Sequence, residues 1–345
     1  YTMNAGLYKK ISIILVSLII SLIFVEIFLR AFVIKPWKNI SINDPSIFKP
    51  DPILGWLAKK GTYEFLPADI NGEKFTMSFN DSGNRKNGNF NNNSKNKILI
   101  IGGSFAQGWG VNDKETFSFK LQKKYKNYKI YNFGQGGYGT IQSYLLLKDK
   151  ISNNIKPKLI IYGIIQHHEY RNIAHAGWLK MLAQYSNRGH VYTPYGSIGK
   201  NNKLTIHKPI GYLNLPLREM SSIITLIEKV YMKLSSRDRV YIKSKSGKKT
   251  KQQSSVTKKT ILKMKNFSEQ SGSDFILVNL DWSGSFKKEN YENFFKKNGI
   301  KFVNCALPSN EKYILPSDYH PNETAHTYFK DCLADYIDNK KILSY

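Results

Sequence analysis

The chain has 345 residues, 41% of them hydrophobic, and carries 52 Lys and Arg against 25 Asp and Glu, a formal charge of +27. That length can bury a full core, enough for one catalytic domain of about 200 residues with a smaller lobe or insertion. No basic module with interleaved aromatics accompanies the charge, which excludes nucleic-acid recognition as the reading; an anionic membrane surface, an acidic glycan or a plain Lys- and Asn-rich composition remain open.

Residues 1–10 read as a cytoplasmic amino terminus and residues 11–34 as an uncleaved transmembrane signal anchor. The apolar run is long enough to cross a bilayer, and it lacks the small-residue cleavage site of a removed leader. Glu26 and Arg30 are four apart, so on a helix they share a face and can pair near the membrane exit. Lys9 and Lys10 are nearly balanced by Arg30, Lys35 and Lys38, so local charge leaves the orientation open. Residues 35–96 form an amino-terminal cap of short strands and turns, in which Trp56 is expected to pack rather than to stack on a sugar.

From residue 97 to 340, strands alternate with helical stretches, which predicts a parallel sheet flanked by helices. The expected strands are 97–101, 129–133, 158–165, 274–280 and 301–304; the expected helices are 116–126, 141–150, 257–271, 286–298 and 323–339. An insertion at about 171–255 is too long for a bare loop and is expected to form a lid or substrate wall, with a hairpin near 191–207 and an apolar helix over 217–234. The polar, basic stretch 235–260 reads as a mobile loop. Cys305 and Cys332 lack metal-ligand spacing, so zinc is not expected. Two separately buried thiols are expected, with a disulfide as the alternative in an oxidising compartment.

Three residues carry the chemistry. Ser104 follows an apolar strand into a glycine-flanked turn, and Asp318 and His320 lie near the other end of the chain. A serine hydroxyl needs an imidazole to take its proton, and the imidazole needs an acceptor to hold its tautomer. Ser104 is therefore expected to be the nucleophile, His320 the general base and Asp318 its orienter. The plainer alternatives are helix capping by Ser104 or Asp318 and a packing role for His320; His326 is expected on a helix surface.

Gly102-Gly103-Ser104-Phe105-Ala106-Gln107-Gly108, then Asn132-Phe133-Gly134-Gln135-Gly136-Gly137, then Asp318-Tyr319-His320-Pro321-Asn322 resemble the first, second and last motif blocks of the SGNH (GDSL-type) hydrolase superfamily. Within it, the chain is similar to the membrane-tethered branch associated with glycan esterases and O-acetyltransferases, over about residues 50–340. The resemblance implies a three-layer α/β/α, flavodoxin-like domain with no cofactor, and oxyanion donors from the backbone N–H of Ser104 and Gly137. Asp318 and His320 are separated by one residue where many members have two; the one-residue spacing is also familiar in tethered and acetyltransferase relatives. The sequence departs from the family in the third block. The third block, expected as Gly-x-Asn-Asp, reads Gly163-Ile164-Ile165-Gln166-His167-His168-Glu169, so His167 or Gln166 is left to supply the third donor. Neighbouring strand residues point to opposite faces, which argues against a metal site in that His-His-Glu run.

The implied function is a membrane-anchored serine ester hydrolase or O-acyltransferase, working through an acyl-serine on acyl esters, chiefly acetyl, of a cell-envelope carbohydrate. The catalytic domain would face the periplasm or cell exterior, with the membrane held through residues 11–34 and room for a membrane-bound acyl-donor partner protein. The alternative class is a non-catalytic glycan-binding or assembly subunit that keeps the fold, which the missing third-block Asn favours.

Overall fold

The computed structural model describes residues 5–40, 44–66, 74–88, 94–186, 189, 192–199, 201–243, 249–286, 291–316 and 319–343. It opens with helix α1 (Ala5–Phe32), whose span Gly6–Phe32 is long and apolar enough to cross a membrane; its most apolar stretch is exposed, while Leu29 near its end is buried. The helix takes in Lys9 and Lys10, so it starts earlier than the apolar run and ends two residues sooner. Arg30 donates to Glu26 at 2.6 Å, the pair expected from their spacing.

Two antiparallel pairs follow, β1 (Phe48–Asp51) with β2 (Gly55–Ala58) and β3 (Gly61–Phe65) with β4 (Phe75–Phe79). The parallel layer then runs β5 (Lys97–Gly102), α2 (Ser104–Gln107), α3 (Phe117–Lys124), β6 (Lys129–Gly134), α4 (Thr140–Ser152), β7 (Leu159–Ile164) and α5 (His168–Asn172). The insertion contributes α6 (Ala176–Gln184), the hairpin β8 (Thr193–Ile198) and β9 (Leu204–Ile210), α7 (Ser222–Ser235), α8 (Arg237–Val240) and the short pair β10 (Tyr241–Lys243) and β11 (Lys249–Lys251). The chain closes with α9 (Gln253–Gln270), β12 (Asp274–Asn279), α10 (Tyr291–Lys297), β13 (Lys301–Asn304) and α11 (Glu323–Asn339).

Five of the strands form one all-parallel sheet in the order β13-β12-β7-β5-β6. Numbered within the sheet this is 2-1-3-4-5, the flavodoxin-like order, whose chain direction reverses between β5 and β7; open α/β sheets bind ligands at the carboxyl ends of the strands at that point. Both faces are covered, which is why the strands read as unbroken apolar runs. Ile98, Ile100, Ile130, Ile161, Ile276 and Val278 pack with Phe117 and Leu121 of α3 and Phe329, Leu333 and Ile337 of α11. Leu99, Ile101, Phe133, Ile160 and Tyr162 point the other way, towards Leu146 and Leu147 of α4 and Ile261 and Met264 of α9.

Four expectations are corrected. The stretch 235–260 is not a loop throughout: it holds α8, β10, β11 and the first turns of α9, which starts at Gln253 because Val256, Thr257 and Thr260 bury one face. Cys305 and Cys332 are not separate thiols but a disulfide, with Cα atoms 5.8 Å apart, tying the end of β13 to α11. His326 is not on a surface: it is fully buried against Phe117, whose N–H donates to its Nδ1 at 3.4 Å. The apolar helix of the insertion begins at Ser222 rather than 217, because Ser221 caps it by accepting from the Ile224 N–H. Trp56 is fully buried, as expected, and its Nε1 donates to the Gly136 carbonyl at 3.0 Å.

Candidate active site

Ser104 lies two residues beyond the end of β5, at the first position of the one-turn helix α2. Its turn is held from three sides. The Asn132 side chain donates to the Ala106 carbonyl and to Ser118, each at 2.9 Å, and accepts from the Gly134 N–H. The fully buried Arg85 guanidinium bridges Asp113 at 2.9 Å and donates to the carbonyls of Gln107, Gly108 and Val111. Behind the turn, His168 Nε2 lies 2.7 Å from where a Cβ on Gly103 would sit, so only glycine fits there. His168 is itself fixed by a 2.8 Å bond between its Nδ1 and the Tyr162 hydroxyl, and burial, followed by the Arg171 charge, holds its pKa well below the ordinary histidine range.

The last motif block brings His320 to the serine from the far end of the chain. The Ser104 Oγ and His320 Nε2 are 2.9 Å apart, so the hydroxyl can donate directly to the ring. Asn322 caps α11 by accepting from the Ala325 N–H and donates to the carbonyls of Lys312 and Ile314, which fixes the block's exit. The Leu315 N–H donates to the His320 carbonyl at 2.8 Å, and Phe105 and Trp109 pack on the imidazole with ring centroids 5.4 and 6.3 Å away. Asp318, assigned as the orienter, lies outside the described residues.

Ser104, Gly137 and His320 line one cavity of about 310 Å³ together with Phe48, Trp109, Arg171 and Trp178. Gly137 has φ +81°, and a Cβ there would stand 3.1 Å from Trp56 and 3.3 Å from Trp178. The sequence needs glycine at that position both for the left-handed backbone and for the packed indoles beneath it. Ser104 heads a helix, so its N–H has no acceptor in the preceding turn, and it shares the cavity wall with Gly137.

The third block lands differently from the other three. The side chains of Gln166 and His167 are exposed and neither lines the cavity. The Gln166 N–H donates to Asp281 at 2.6 Å, and the His167 ring rests against Tyr170 with centroids 5.5 Å apart. Burial of part of the His167 ring, then the Arg171 charge, lowers its pKa. Glu169 accepts from Tyr291 and from Gln253, so the His-His-Glu run goes to separate partners. The cation that reaches the cavity is Arg171. Its Nη1 donates to the Tyr138 carbonyl at 3.0 Å, and its guanidinium lies 4.6 Å from the Trp178 ring centroid. Sequence reasoning passed over Arg171 because it sits where the insertion begins. The one signal available was a lone Arg eight residues after the glycine that pairs with Gly102. Arg85, Trp109 and Trp178 carried no local signature.

A parallel α/β fold with a serine and a histidine in contact at the sheet's switch point defines a class: proteins equipped for nucleophilic attack by serine. No protein-family model matches the chain, and no curated protein is found to match it. Solved structures similar to it include the one described as TesA (TM-score 0.41, 10% identity, 72% of this chain and 99% of that one). A putative lipolytic protein of the G-D-S-L family from Desulfitobacterium hafniense DCB-2 gives 0.39 and 11%, covering 72% of this chain and all of that one (100%). Axe2, an acetylxylan esterase from Geobacillus stearothermophilus, gives 0.37 and 10%, covering 71% and 94%. At such identities and TM-scores the chemistry has to be argued from the side chains.

Proposed function

We propose that the chain is a membrane-anchored serine esterase or O-acyltransferase acting on acyl esters, chiefly acetyl, of a cell-envelope carbohydrate. The observation that carries the reading is the 2.9 Å contact between the Ser104 hydroxyl and His320 Nε2 in a cavity walled by Gly137 and the aromatic side chains Phe48, Trp109, Trp178 and Tyr185. A site of this volume, mostly aromatic with a few convergent polar groups, suits a small acyl group on a ring-shaped carrier.

In the proposed reaction His320 takes the Ser104 proton as Oγ bonds to the ester carbonyl carbon. The carbonyl oxygen becomes an oxyanion, held by the N–H groups of Ser104 and Gly137, with the Arg171 charge nearby. His320 then returns the proton to the leaving sugar oxygen as the C–O bond breaks, leaving an acyl-serine. Water or a second sugar hydroxyl, deprotonated by the same imidazole, releases the acyl group, so one set of residues serves hydrolysis and transfer alike. Asp318 is the proposed orienter of His320. The apolar span of α1 supports anchoring, and the Cys305–Cys332 disulfide supports an oxidising compartment, hence a domain outside the cytoplasm.

The test is an intact mass measurement after exposure to an activated acetyl ester. The wild-type chain is expected to gain one acetyl group and Ser104→Ala none. Equal labelling of both would sink the reading, and absence of label in both would favour the non-catalytic binding subunit.

A further inference from the structure

Helix α7 is built inside out. Its buried positions are Ser222, Thr225, Glu228 and Met232, whereas Ile227, Val230, Tyr231 and Leu234 stand 47–53% exposed. These four follow the spacing i, i+3, i+4, i+7, one continuous apolar stripe on a helix. Leu217 and Met220, just before the helix, extend it and are also exposed. Part of the polar face is paired inside the protein: Arg218 pairs with Glu228 Oε1 at 3.0 Å, the Leu215 N–H donates to the same oxygen at 2.7 Å, and Thr225 accepts from the Trp37 backbone N–H at 3.1 Å, whereas Ser222 Oγ and Glu228 Oε2 are buried without a partner among the described residues. The apolar stripe therefore has no counterpart among the described residues, and an exposed apolar patch of this kind marks an interaction surface.

Its position says what covers it. Glu26, inside α1, accepts from the N–H groups of Ser222 and Ile223 and from the Ser221 hydroxyl, at 2.8, 3.1 and 2.9 Å. The apolar span thus caps α7 and holds it beside its own carboxyl end. Next to this junction lies a cavity of about 430 Å³ lined by Ile34 and Trp37 and ringed by Lys180, Lys229, Lys233 and Arg237. An apolar stripe flanked by cations, fixed where a transmembrane span leaves the bilayer, is the make-up of a helix that lies in the headgroup layer.

We infer that α7 is a second membrane contact, embedded by Ile227, Val230, Tyr231 and Leu234 in the leaflet where α1 emerges, with Lys180, Lys229, Lys233 and Arg237 on anionic phospholipid headgroups. This rests on the anchoring of α1 proposed above. The contact fixes the catalytic domain's tilt on the membrane, so the Ser104 cavity is presented at a set height rather than on a free tether.

The native cysteines are bonded to each other, so a single introduced cysteine can be labelled uniquely. The full chain carrying Leu234→Cys, Leu18→Cys or Lys296→Cys is labelled with an environment-sensitive fluorophore and reconstituted into phosphatidylcholine vesicles with or without phosphatidylglycerol. Iodide quenching at Leu234 is expected to be at least about threefold weaker than at Lys296, and to weaken further when phosphatidylglycerol is present. Leu18 reports the anchor itself. A shielded Leu18 with Leu234 quenched like Lys296 overturns this inference and leaves the anchor standing, whereas an iodide-accessible Leu18 overturns both. Shielding at Leu234 that tracks protein density, with cross-links between copies, means a second copy covers the stripe and also overturns it.

Discussion

The two ends of this molecule solve burial in opposite ways. Around Ser104 the apolar strands are covered on both faces, and the polar groups that remain inside, Arg85, Asn132 and His168, hold the nucleophile's turn. On α7 the polar side chains are inside, tied to Arg218 and to α1, and the apolar ones are outside. The difference teaches that polarity alone does not say which face is inward. A helix packed beside the apolar span of α1 turns part of its polar face inward, where Thr225, Glu228 Oε1 and the amino-terminal N–H groups find partners.

The sharpest way to break the comparison is to show that both regions matter equally to chemistry. Ser104→Ala and His320→Ala are each expected to lower ester turnover by roughly 10⁴-fold or more, and the double variant to be little worse, because the pair acts as one unit. Leu234→Ala is expected to leave turnover of a small soluble ester unchanged. Multiplicative losses from the two catalytic substitutions, read by steady-state kinetics, would show that they are not one unit.

Stability comes next. Arg85→Met removes the cation from Asp113 and the donor from the carbonyls around the Ser104 turn, and should cost about 3 kcal/mol in denaturant unfolding, the scale of a broken buried ion pair. Reduction of the Cys305–Cys332 disulfide, which closes a loop of 27 residues in sequence separation, should cost about the same. A loss under about 0.5 kcal/mol for Arg85→Met would mean the network is incidental.

A smaller effect separates the two candidates for stabilising charge at the oxyanion. Arg171→Met is expected to lower kcat/KM by about a hundredfold and His167→Ala by clearly less, since the former lines the cavity and the latter does not. The reverse order would show that the His167 ring moves inward when substrate is bound.

The last is a slope. Burial, then the charges of Arg85 and Lys120, lower the His326 pKa from 6.5 to about 3. The unfolded chain therefore takes up a proton below about pH 6.5 that the folded chain refuses. Stability is complete above that pH and is lost as the pH falls towards 3, by up to about 1.4 kcal/mol per pH unit per such group. In His326→Phe the acid slope of unfolding free energy should be shallower by that amount; an unchanged slope would place the titration elsewhere.

Much of this could be read along the chain. The five strands were legible because strands buried on both faces are uninterrupted apolar runs, and their ends moved by only a residue or two. Ser104, Gly137 and His320 were legible because each sits in a short block whose spacing is dictated by a turn or a cap; the cavity unites them across more than two hundred residues. The Glu26–Arg30 pair followed from helical spacing. The tertiary structure decided the rest. Arg171, Trp109 and Trp178 enter the cavity from segments with no local pattern: Arg171 lies on α5 and Trp178 on α6, while Trp109 follows α2 and packs on Phe65 and Phe75. Burial of His326 and the bonding of Cys305 to Cys332 depend on how α11 lies across α3 and β13, a long-range contact that no local window contains. The apolar stripe of α7 was visible as an apolar helix, but its outward direction was not. That was set by Glu26 and Arg218, which take the helix start and the polar face and leave the apolar stripe exposed.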